Sequence, residues 1–84
     1  MLPPHVSFGA YLRAARDAVP LSQADLARKL AVSKQTVSNW ESNRYLPPVM
    51  HVTRLARVLA VQANKLFMVR ATYELARIEN EENR

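Results

Sequence analysis

The chain has 84 residues, 49% of them apolar, with one glycine, no cysteine and a formal net charge of +5. That length makes one domain with one small core, and the missing cysteine excludes disulfides, thiolate zinc sites and thiol nucleophiles. No run approaches the ~20 apolar residues of a membrane span and the start lacks the regions of a signal peptide, so a soluble cytoplasmic protein with no membrane partner is expected.

The charge is unevenly placed. Glu74, Glu79, Glu81 and Glu82 against Arg77 and Arg84 give residues 74–84 a net −2, so residues 1–73 hold +7. A basic small domain attracts polyanions, although composition does not separate DNA from RNA or an acidic protein. His5 and His51 lie far apart and without an acidic cluster, and read as surface or packing residues. No Ser, His and Asp constellation or phosphate-cradling glycine loop can be assembled. Neither enzyme activity nor a metal or cofactor is expected.

The prolines stand at positions 3, 4, 20, 47 and 48, so the long stretches between them are free of helix breakers. Residues 1–6 read as an extended or flexible arm. Ser7 is a candidate cap for a first helix running to about Ala18, with Phe8, Tyr11, Leu12 and Ala15 spaced to face a core and Pro20 to stop it. Gly9 within it costs about 1 kcal/mol relative to alanine, for no reason visible in the sequence.

Residues 21–41, LSQADLARKLAVSKQTVSNWE, read as two short amphipathic helices joined by a turn too tight to hold a loop. Ser22 is the first cap, with Asp25 in the capping-box position and Leu21 and Leu26 as a hydrophobic staple. The pattern repeats with Ser33 as cap and Val32 and Val37 as staple. At about 100° per residue, Val37 and Trp40 fall on one side of the second helix and Lys34, Gln35, Ser38 and Asn39 on the other. Amide side chains pair bidentately with the edge of adenine, lysine donates to guanine, and the major groove admits a helix. Taken alone, these residues favour a blander reading: a surface helix is polar outside because it faces water, and both serines are simply caps.

A fourth helix is expected from about 48 to 60, with Pro48 in its first turn, Val49, Val52, Leu55, Ala56 and Leu59 on one face and Arg54 and Arg57 on the other. Val61 and residues 63–67 suggest a short fifth helix. Residues 68–84 contain no Gly or Pro and read as a further helix frayed at its acidic end. Leu66, Val69, Tyr73 and Ala76 form one apolar stripe on it. Met68, Ala71, Leu75 and Ile78 form another on nearly the opposite side, so the helix calls for two partners.

Leu21, Ser22, Gln23, Leu26, Ala27, Val32, Ser33, Val37, Trp40 and Glu41 together resemble the lambda-repressor-like, or Cro and XRE type, helix-turn-helix of bacterial and phage regulators, and the resemblance extends from about Phe8 to Phe67. It implies an all-α fold: an arm at 1–6, a five-helix DNA-binding domain at 7–67 and a C-terminal helix at 68–84. The function implied is that of a sequence-specific regulator of transcription, most simply a repressor on double-stranded DNA, working at the nucleoid as a homodimer on a palindromic operator. Lys34, Gln35, Ser38 and Asn39 would face bases, while Gln23, Ser33, Thr36, Asn43 and Arg44 would meet phosphates. Met68, Ala71, Leu75 and Ile78 would form the dimer interface.

By the same resemblance, Arg16 pairs with Glu41 inside the domain. Ala31 and Asn43 stand where such proteins usually have glycine, so Ala31 would be strained if its φ must be positive. Gln62 replaces the usual Ser or Thr cap. Two further functions share the same features: an antitoxin that binds DNA and neutralises a toxin, and a protein-interaction adaptor on the same fold, with an anti-repressor as another protein partner.

Overall fold

The computed structural model describes residues 7–82; the expected arm at 1–6 lies outside the described residues. These residues form five helices and no strand: α1 (Phe8–Ala18), α2 (Gln23–Leu30), α3 (Lys34–Glu41), α4 (Val49–Val58) and α5 (Ala63–Glu82). The fifth helix and the C-terminal helix expected separately are one continuous element of 20 residues. Nothing between Phe67 and Met68 breaks it, since neither residue removes a backbone donor or favours a turn.

The capping expectations are met atom by atom. Ser7 accepts from the Ala10 amide at 3.1 Å. Ser22 accepts from Asp25 N at 3.0 Å while Asp25 Oδ2 accepts from Ser22 N at 3.3 Å, closing a capping box, and Ser33 accepts from Thr36 N at 3.1 Å. These bonds satisfy amides that have no partner inside their own helix. The Ser22 hydroxyl and amide hold the Asp25 carboxyl below its ordinary value against an opposing desolvation, with a lesser contribution from Arg28. Its contribution to the cap is therefore present above the ordinary carboxylate range and is lost as pH falls through the lowered value. Pro48 is the N-cap of α4 rather than a first-turn residue, and it makes no side-chain capping bond.

One core collects Phe8 and Leu12 from α1, Leu26, Ala27 and Leu30 from α2, and Val37 and Trp40 from α3, closed by Val52, Leu55, Ala56 and Leu59 and by Leu66 and Val69 of α5. Val49, expected on that face of α4, is 55% exposed, because it stands at the first helical position beyond the edge of the core. His51 is a packing residue, its ring 5.8 Å from that of Trp40, with Nδ1 buried and without a hydrogen-bond partner.

Three turns use the left-handed backbone without glycine: Ala31 at φ 57°, Asn43 at φ 63° and Ala60 at φ 56°. At Ala31 this geometry lets the amides of Ala31 and Val32 bond back to α2 carbonyls, which leaves two residues between the end of α2 at Leu30 and the Ser33 cap. A Cβ is unfavourable there by about 1 kcal/mol, while glycine carries a larger entropy in the unfolded chain. Ala31→Gly is expected to raise stability by about 0.5–1 kcal/mol, read as a higher urea midpoint at an unchanged slope, and Ala31→Val to lower it.

Candidate nucleic-acid interface

The outer face of α3 is built from the turn upward. Ser33 Oγ, already capping the helix, lies 2.8 Å from Thr36 Oγ1, so both hydroxyls sit at the N-terminal end. Lys34 and Gln35 are exposed, and Ser38 and Asn39 are half-buried on the next turn. Gln35 Nε2 donates to Asn39 Oδ1 at 3.0 Å, a pairing that four-residue spacing allows on a helix. That bond leaves Gln35 Oε1 and the Asn39 amide hydrogens directed to their surroundings. Together they offer one acceptor and one donor on a single platform, the pattern that complements an adenine edge.

Behind this face, an ionic network fixes the pitch of α3. Arg16 Nε donates to Glu41 Oε2 at 2.6 Å and Arg16 Nη2 to Glu41 Oε1 at 3.0 Å, a two-pronged contact; Nη1 donates to the Leu21 carbonyl at 2.7 Å. The two side chains are only 10% and 5% exposed. The hydrogen bond to Glu41 is the main cause that holds the Arg16 guanidinium above its ordinary pKa, against desolvation. Arg16 thus joins α1 to the last residue of α3 and to the entry of α2.

Gln23 belongs to the same network: its Nε2 donates to Glu41 Oε1 at 3.1 Å. Its amide head is turned towards α3 and the Glu41 carboxylate. Asn43 is likewise engaged inward, its Oδ1 accepting from Gly9 N at 2.8 Å, while Arg44 is exposed in the loop that follows. Of the nine residues expected at DNA, seven lie on α3, its cap or the following loop with outward-facing groups, and Gln23 and Asn43 also hold the frame.

Two residues gain roles that the sequence did not signal. Arg13 lines a shallow groove with Gln23, Ser38, Glu41 and Ser42; its position three residues before Arg16, on the same flank of α1, was the available clue. Arg70 Nε donates to the Pro47 carbonyl at 2.8 Å and Nη1 to Glu74 at 3.0 Å, so α5 steadies the loop after α3. The dimer residues expected on α5 are apart from this surface: Met68, Leu75 and Ile78 are 65%, 59% and 45% exposed, and Ala71 is exposed with them. Its other stripe is the one that packs, with Leu66 and Val69 buried.

A family model described as a helix-turn-helix domain matches residues 7–66. The chain belongs to the helix-turn-helix domain family. The match spans α1 to the beginning of α5 and includes every polar group of the α3 face. No curated protein and no solved structure matches the chain. A helix-turn-helix domain is a DNA-binding module, in which the second helix of the motif enters the major groove; here that helix is α3. No helix among the described residues is long and apolar enough to cross a membrane.

Proposed function

We propose that this helix-turn-helix protein is a sequence-specific repressor that binds a palindromic operator as a dimer and occludes a promoter. The observation that carries the reading is the α3 face, where Lys34, the bonded Gln35–Asn39 pair and Ser38 stand outward from a helix locked by Arg16 and Glu41. Lys34, Gln35, Ser38 and Asn39 read base edges. Ser33, Thr36 and Arg44, with the remaining hydrogens of Gln23 and Asn43, set register on the phosphates, which position without specifying sequence. Binding requires no chemistry and no cofactor.

A dimer serves this function because one recognition helix spans few base pairs, and two heads about 34 Å apart read successive major grooves. The exposed stripe of α5 is the apolar surface suited to that contact.

Binding-site selection with Gln35→Ala and Asn39→Ala tests the base-reading assignment. Each is expected to cost about 1–3 kcal/mol at the cognate site and to relax preference at one or two positions. Arg44→Ala in the same experiment weakens all DNA by similar factors and makes log affinity against log salt shallower by about 0.9. Wild-type preference retained by both amide variants overturns base reading, and failure of the wild type to retard any DNA favours a protein-interaction adaptor.

A further inference from the structure

The exposed positions of α5 repeat every three and four residues: Met68, Ala71, Leu75 and Ile78. Two flanks border this seam at seven-residue intervals. Lys65, Thr72 and Glu79 lie along one and Phe67, Glu74 and Glu81 along the other. Charge is graded along the helix, with Lys65 and Arg70 giving residues 63–72 a net +2 and Glu74, Glu79 and Glu81 against Arg77 giving residues 73–81 a net −2.

This gradient opposes the helix's own dipole. The first turn holds no acidic residue and the last turn no basic one, whereas an isolated helix is stabilised by the reverse distribution. Within one copy, Arg70 partners Glu74, while Glu79 and Glu81 have no ion pair among the described residues.

We propose that a second copy of this chain covers the seam by packing its α5 antiparallel, across a two-fold axis near Ala71 and Thr72. The proposal rests on the dimeric-regulator reading and gives it an orientation and a register. In an antiparallel pair each flank meets the same flank of the partner running the other way. Met68 then packs against Leu75 of the second copy, and Lys65 faces its Glu79; symmetry makes each contact twice. Phe67 lies across from Glu74, and the two Glu74 carboxylates that flank the axis are each held by Arg70 of their own copy. The acidic end of each helix comes to the first turn of the other, where the dipole favours it. In a parallel pair opposite flanks meet, which sets Glu74 against Glu79 twice and gathers both acidic ends together. Charge therefore selects the antiparallel arrangement, as flanking residues do in coiled coils. Ala71, small and next to the axis, lets the helices approach where they cross.

The chain contains no cysteine, so engineered ones report the register directly. Met68→Cys and Leu75→Cys chains, one carrying a size tag, are oxidised singly and mixed, and operator retardation is measured on the same samples. A disulfide formed mainly in the mixture supports the proposal, because only those Cα atoms come within bonding range, about 4.4–6.8 Å. Each variant crosslinking faster with itself overturns it in favour of a parallel pair. Lys65→Glu is expected to weaken the dimer about tenfold and Lys65→Glu/Glu79→Lys to restore it; a double variant as weak as the single overturns the Lys65–Glu79 contact. A wild type that sediments as a monomer both free and on DNA overturns the interface while leaving DNA binding intact. Mixed crosslinking without DNA retardation overturns the repressor reading and supports the interface.

Discussion

Arg16→Ala is expected to lower the stability of the domain by about 3–5 kcal/mol, a large part of the total for a chain of this size. The loss comes less from the missing attraction than from what remains. Glu41, with its side chain 5% exposed, would keep a buried charge whose remaining side-chain partner among the described residues is Gln23. Desolvation offsets much of the Coulomb gain of a buried pair, so replacing both partners is far milder than replacing one. Arg16→Met/Glu41→Leu is accordingly expected to recover most of the lost stability in urea denaturation, measured by the midpoint at constant slope. Operator affinity should not recover with it, because the apolar pair fixes neither the direction of α3 nor the placement of Gln23. A double variant as unstable as the single one would show that the pair contributes by more than charge cancellation.

Gly9→Ala should lower stability by about 2–3 kcal/mol, against the direction that helix propensity alone gives. On an open helix face the same change would be favourable by about 1 kcal/mol. Here a Cβ on residue 9 would overlap the Glu41 carbonyl oxygen and stand 2.6 Å from its carbonyl carbon and 2.9 Å from Asn43 Oδ1. The first obstacle is backbone, so relief requires α1 and the end of α3 to move apart, at the cost typical of an overpacked site. It also breaks the bond from Gly9 N to Asn43 Oδ1. Thermal unfolding of the variant beside an exposed control, Ser42→Ala, separates this local clash from a general sensitivity of the α1–α3 region. A stability equal to or above wild type would mean that the helices are not held this close.

The same two sites mark how far the sequence could be read. Ser7, Ser22 and Ser33 were legible as caps because capping is local, with the donor two or three residues from the acceptor. The outward set on α3 was legible because helical period assigns faces, and Val37 and Trp40 are indeed the residues that α3 buries. Gly9 was opaque because its reasons lie far along the chain, at the Glu41 carbonyl and at Asn43. Gln23 looked like a free polar head at a helix start; only the arrival of Glu41 beside it turns its amide inward. The continuity of α5 was open to reading, since no Gly or Pro stands between 63 and 82; what was hidden is its anchor to the loop, from Arg70 to a carbonyl of Pro47. Local chemistry was written in neighbouring residues, whereas contacts between elements depended on how the helices meet. The Arg16–Glu41 pair was visible only through the family resemblance, not through spacing.

Fastening the C-terminal turn of α3 to α1 at both Gly9 and Arg16 also bears on how the protein meets a long polymer. A helix of eight residues is too short to persist alone in water, so α3 cannot melt and re-form independently; it opens only when α1 lets go. In the proposed function, α3 therefore reaches each stretch of duplex already shaped, with little backbone disorder left to lose on contact. A search by such a sequence-reading protein would be a matter of orientation and sliding along the groove, with a wrong sequence rejected by mismatch against a rigid template instead of being accommodated by refolding around it.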